Sequence, residues 1–143
     1  LCGHQIGQYD LHAGLTIPNY DNNNPNKLPD GLYAIEPFIT SGSGNVYEGA
    51  KSGIYKVEKI SQIRGNNERE ILEYILENYG SLPFCSRWLV KKFGTRVLIS
   101  LRLIENAGII HQYPHLIERS KKPVAQSEDT ILIFSGKIEA ISR

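Results

Sequence analysis

In the stretch GLYAIEPFIT, residues 31–40, a glutamate sits inside a run that is otherwise apolar, with a proline straight after it. Leu32, Ala34, Ile35 and Phe38 suit a core strand running from Leu32 to Ile39. An ionised carboxylate among them loses its water, which is costly unless the group is paired or binds a metal. Glu36 therefore needs a partner. Glu128 repeats the pattern, because SEDTILIF, residues 127–134, sets two carboxylates at the start of an apolar strand.

Around that strand the sequence divides into blocks. Residues 1–17 mix Gly, His and polar residues without a clean period and read as a loop feeding a short strand. PNYDNNNPNKLPDG, residues 18–31, is turn-rich, since Pro, Asn, Asp and Gly favour irregular backbone. TSGSG (40–44) turns the chain, and NVYEG (45–49) and GIYKVEKI (53–60) read as two further strands.

After Ile63 the period lengthens to that of a helix. Asn67 and Glu70 fit an N-cap and its partner, with Ile71, Leu72, Ile75, Leu76 and Tyr79 on one apolar face and Gly80 at the end. Pro83 opens a second helix with Phe84, Trp88 and Leu89 inward and Gly94 closing it. Thr95 caps a third, with Leu98, Leu101 and Ile104 along one side. PHLIERSKKP (114–123) reads as a solvated turn, and TILIFS (130–135) and KIEAIS (137–142) as a strand pair joined around Gly136. The expected class is α/β (α+β): a sheet domain, residues 1–60 and 125–143, interrupted by a helical insertion over 61–124.

The 143 residues suffice for one domain with a proper core. The 41% hydrophobic and 22% charged content is that of an ordinary globular protein. A net charge of +1 argues against a protein whose main task is gripping nucleic acid. No run is long enough to span a bilayer, so no membrane partner is expected. Cys2 and Cys85 make no disulfide framework and suit reduced thiols in the cytoplasm. The sequence begins at Leu1 and contains no Met, so a piece of a longer protein is expected.

His4, His12, Glu36 and Glu128 are the right residue types for a hard or borderline divalent cation. Acids at strand ends are more often solvated or paired with Lys or Arg, and His12 equally suits a structural histidine bonded to backbone. The three helices and a basic tip, ERSKK, also resemble a winged helix, with Arg87, Lys91, Lys92 and Arg96 as a basic patch. Glu68, Glu70, Glu73 and Glu77 on the first helix weigh against that use. Cys85 falls where a helix face would bury it, as a small core residue.

GHQIGQYDLHAG, GLYAIEPF, GSLPFCSRWL, NAGIIHQYP and SEDTILIF occur in that order. Together they resemble the C-terminal half of the type 2 methionine aminopeptidases, with an archaeal flavour, over essentially the whole chain. That resemblance implies half of a pita-bread fold carrying an inserted three-helix, winged-helix-like subdomain. It implies a dinuclear centre of Co, Mn, Fe or Zn that removes the N-terminal methionine of nascent polypeptides.

By the same resemblance His4 and Glu36 ligate one metal, Glu128 bridges both, and His12 hydrogen-bonds the scissile amide. Glu36 also shuttles the proton, and Leu11, Phe38 and Tyr113 line the methionine pocket. At Ile54 the chain departs from eukaryotic members, which place a histidine there. Two Asp ligands and another His come from the N-terminal half of such enzymes, so this chain is expected to work only beside that half. A non-catalytic pita-bread relative acting as a protein- or nucleic-acid-binding module is the alternative; the presence of His4, Glu36 and Glu128 favours the enzyme.

Overall fold

A computed structural model describes residues 1–142. The chain is α+β and forms two compact units. The first comprises Leu1–Tyr47 and the chain from Ile117 onward; the second is Glu48–Leu116. Among the described residues no helix is long and apolar enough to cross a membrane.

The first unit is built on a five-stranded antiparallel sheet. Its strands are β1 (Cys2–Ile6), β2 (Thr16–Pro18), β3 (Gly31–Ile35), β9 (Asp129–Phe134) and β10 (Lys137–Ala140), in the order β10-β9-β3-β1-β2. The opening residues, expected to be a loop, thus form a strand. Gly3 explains how: a Cβ there would lie 2.5 Å from the Ala34 carbonyl oxygen, so only glycine lets β1 approach β3 this closely. Ser135 and Gly136, both at positive φ, make the tight turn between β9 and β10. That strand pair is the one expected from the sequence.

The expected single strand Leu32–Ile39 is two. β3 ends at Ile35, and β4 (Phe38–Thr40) pairs separately with β8 (Val124–Gln126). Pro37 lacks an N–H and holds Glu36 away from the helical region, so the ladder stops there and resumes two residues later. Burial also differs from expectation along this stretch. Tyr33 is fully buried, its hydroxyl donating to the Pro29 carbonyl at 2.9 Å, whereas Leu32 is 36% exposed. Alternation in the strand puts Leu32 on the same face as Ala34 and Glu36 and Tyr33 on the opposite one, and along the first face exposure falls from Leu32 to the buried Ala34.

The second unit packs α1 (Asn66–Asn78), α2 (Ser86–Phe93) and α3 (Val97–Asn106) with β5 (Val46–Val57), β6 (Phe84–Cys85) and β7 (Ile110–Glu118). β5 is one long strand where two were expected. Ile71, Leu72, Ile75, Leu89, Leu101 and Ile104 are buried in one cluster with Tyr55 and Phe84. Each such side chain contributes roughly 1.5–3 kcal/mol. Two residues expected inward face out: Trp88 and Leu98 are 48% and 49% exposed. The helix starts are shifted too. Gly65, Cys85 and Arg96 stand at the N-caps, none with a side-chain cap bond, so Asn67, Pro83 and Thr95 do not open the helices. Cys85 sits in β6, half-buried, not on a helix face.

Candidate active site

β1 and β3 bring His4 and Glu36 together. His4 pairs with Ala34 across the two strands, and Glu36 lies two residues further along on the same face. The buried His4 ring places Nε2 3.1 Å from Glu36 Oε1. Its Nδ1 lies 3.2 Å from the Gln5 carbonyl oxygen. Both ring nitrogens face acceptors, so a neutral imidazole satisfies only one of them at a time. With the proton on Nδ1, bonded to the carbonyl, the Nε2 lone pair points at the Glu36 carboxylate and is free to bind a cation. The second Glu36 oxygen accepts from Gln126 Nε2 at 3.4 Å.

A hairpin carries His12 to the same place. Gly7 and Asp10 exchange backbone hydrogen bonds around Gln8 and Tyr9, with Tyr9 at φ 55°. The returning strand bonds back to Gln5, whose N–H donates to the Leu15 carbonyl and whose carbonyl accepts from Ala13 N–H. The His12 ring then meets the His4 ring edge-on, with centroids 4.4 Å apart. His12 and Leu11 are exposed, which leaves both able to meet a substrate.

Glu128 falls in the gap of the ladder. Pairing runs from Gly31↔Ile133 to Ile35↔Asp129 and resumes in the same register at Phe38↔Gln126. Within the gap that register sets Glu36 opposite Glu128, and Ser127 N–H donates to the Pro37 carbonyl at 3.2 Å. Glu128 is exposed. No group of three His, Cys, Asp or Glu side chains among the described residues is arranged to hold a metal ion. His4 and Glu36 are a pair of suitable donors, not a complete set.

Phe38 lines a cleft of ≈ 380 Å³ with Ile39, Thr40, Val46, Glu118 and Val124. Tyr113 lies on β7 in the second unit, where its carbonyl accepts from Ser52 Oγ at 2.7 Å and its ring meets that of His111. Ile54 pairs with Cys85 in that unit.

Two polar residues near these groups carry no obvious signal in the sequence. Glu118, expected in a solvated turn, is buried at the end of β7. Its carboxylate accepts from Ser43 N–H and Oγ, Ser120 Oγ and Lys122 N–H. Above all the Ser120 bond, and further those from Ser43 and Lys122, hold its pKa down to about 2 against the opposing effect of burial. The other is Asn19, just after β2, whose side-chain amide bonds to the backbone on both sides of the Glu36–Pro37 break.

The sequence is 39% identical over 144 residues to a methionine aminopeptidase of Methanocaldococcus jannaschii, covering all of this chain and 48% of that protein. It is 41% identical over 144 residues to one from Saccharolobus solfataricus, covering 96% of this chain and 47% of the relative. To methionine aminopeptidase 2 of Komagataella phaffii it is 35% identical over 150 residues, covering 100% and 34%. The chain thus spans between a third and a half of the length of these curated relatives. No protein-family model matches it. In fold it is similar to a solved thermophilic Arx1, with a TM-score of 0.76 at 16% identity over 96% of this chain and 38% of that one.

Proposed function

The chain is related along its whole length to the methionine aminopeptidases, and we propose that it supplies part of the metal site of such an enzyme, which releases the N-terminal methionine of nascent polypeptides in the cytoplasm. The observation that carries this reading is the contact of His4 Nε2 with Glu36 Oε1 at 3.1 Å, inside a break in the sheet that also aligns Glu128.

His4, Glu36 and Glu128 would hold the metal on this side. Two Asp and one His of an N-terminal half of the same enzyme would complete the set. Divalent ions, of Co, Mn, Fe or Zn type, supply Lewis acidity and a more acidic water. The chain's own residues do the rest. Glu36 takes a proton from the attacking water and passes it to the leaving nitrogen. His12, exposed beside His4, donates a hydrogen bond to the scissile amide. Leu11 and Phe38, both in the first unit, would line the pocket for the methionine side chain. Residues 1–60 and 125–143 are the C-terminal half of a pita-bread fold, with 61–124 as its winged-helix-like insertion; the likeness in fold to Arx1 supports that half.

The test is release of free methionine from a Met-Ala peptide in the presence of Co(II). Turnover is expected when this chain is combined with an N-terminal half, and to disappear in His4→Ala. No turnover from the combined halves favours the non-catalytic binding module.

A further inference from the structure

We propose that Asn19 is a positioning residue that splices the backbone across the Glu36–Pro37 break and thereby fixes where the Glu36 carboxylate and the Phe38 ring stand. The inference rests on the functional reading above for its consequence, but not for its geometry.

A sheet that stops and resumes leaves peptide groups without ladder partners. Ile35↔Asp129 is the last pair before the break and Phe38↔Gln126 the first after it. Between them Pro37 offers no N–H. The Glu36 carbonyl and the Phe38 N–H therefore need partners from elsewhere, or lose bonds worth making. Asn19 provides both. Its Nδ2 donates to the Glu36 carbonyl at 3.2 Å, and its Oδ1 accepts from Phe38 N–H at 3.2 Å. The second Nδ2 hydrogen goes to the Leu1 carbonyl at 3.0 Å. A carboxamide carries one C=O and one NH₂, so it presents to this edge the same acceptor and donor that a peptide group of a neighbouring strand would.

The place of Asn19 in the fold gives the splice its use. It directly follows β2, which pairs with β1 from Cys2↔Pro18 to His4↔Thr16. One side chain thus ties the strand next to His4 to the backbone of Glu36 and of Phe38. An isosteric Asp could keep the Phe38 bond, but would set a carboxylate against the carbonyls of Leu1 and Glu36. Leu has the same branching and number of heavy atoms, is bulkier, and makes none of the three bonds.

Two measurements test this. The first is amide hydrogen exchange in the 143-residue chain, which needs neither metal nor activity. The Phe38 amide is protected in the wild type and exchanges about two- to tenfold faster in Asn19→Leu, the loss expected for one hydrogen bond. The Tyr33 and Ile133 amides of the continuous ladder serve as controls. If all amides accelerate together, Asn19→Asp decides, because it must retain Phe38 protection. Unchanged Phe38 exchange in Asn19→Leu, or its loss in Asn19→Asp, overturns the proposal.

The second is Co(II) affinity and visible absorption of the chain combined with an N-terminal half. Asn19→Leu is expected to weaken Co(II) binding about 10–100-fold, as loss of a residue behind a ligand does, and to alter the absorption band. His4→Ala separates the two readings. If His4→Ala leaves Co(II) binding intact, the metal-site reading falls, while the splice still stands or falls on the exchange data. If His4→Ala abolishes binding and Asn19→Leu has the wild-type affinity and spectrum, the positioning role is wrong.

Discussion

His4 Nε2 and Glu36 Oε1 lie 3.1 Å apart although the two residues come from separate strands and Glu36 lies just past the end of its own. The contact answers what a carboxylate does in an apolar run. Glu36 leaves the ladder at Pro37, turns to a buried imidazole and takes a further hydrogen bond from Gln126. With its proton on Nε2 the imidazole donates to the carboxylate; with the proton on Nδ1, the Nε2 lone pair and a Glu36 oxygen face the same point and suit a cation.

Replacing His4 by Ala removes a ligand nitrogen and leaves Glu36 without its main partner. In the enzyme assembled from both halves, methionine release is expected to fall by at least about a hundredfold, the upper range for losing merely a residue behind a ligand. Steady-state release of methionine from Met-Ala under saturating Co(II) measures this.

Gly3→Ala tests the approach of β1 to β3. The new Cβ would meet the Ala34 carbonyl oxygen at 2.5 Å and the Glu36 nitrogen at 3.3 Å. Those atoms are backbone and cannot swing aside, so the strands must separate. A loss of about 1–3 kcal/mol is expected, read from urea unfolding. An unchanged midpoint would show that the sheet yields more easily than its pairing suggests.

Glu118 predicts an acid-sensitive contribution to stability. Its folded pKa of about 2 lies below the ordinary 4.5, so the folded state holds the proton less tightly than the unfolded one. The stabilisation is fully present above about pH 4.5 and disappears as the pH falls towards about 2. Glu118→Gln should be less stable than wild type near neutrality, with the gap closing over that window. Unfolding midpoints measured between pH 2 and 6 check it; a gap independent of pH would contradict the cradle around this carboxylate.

Leu101→Ala probes the other unit. The residue is fully buried on α3, where its neighbours include Ile104 and the α1 residues of the same cluster. The change should cost about 2–5 kcal/mol, since transfer and cavity terms add. Denaturant unfolding followed by circular dichroism measures it.

What could be read from the sequence was what repeats or stays local. The apolar stripe of α1, with Ile71, Leu72 and Ile75, and the β9–β10 pair around Gly136 both follow from spacing and turn chemistry. Trp88 and Leu98 misled because an apolar residue at helical spacing says nothing about whether a neighbour exists to cover it. Glu118 and Asn19 were invisible for a different reason. Glu118 is satisfied by Ser43, 75 positions away, and Asn19 by Phe38, 19 positions away, so neither pairing leaves a pattern in the local sequence. His4 and Glu36 could be nominated as ligands by resemblance, but their contact depends on a strand register, His4↔Ala34, that composition does not encode.

The most direct test of the central claim is a metal count on this chain, with and without an N-terminal half, after loading with Co(II) and removal of excess ion. The account predicts two ions per assembled pair, no stoichiometric binding to this chain alone, and loss of binding in the pair carrying His4→Ala. Two tightly held ions on this chain by itself, or an assembled pair that binds none, would contradict it.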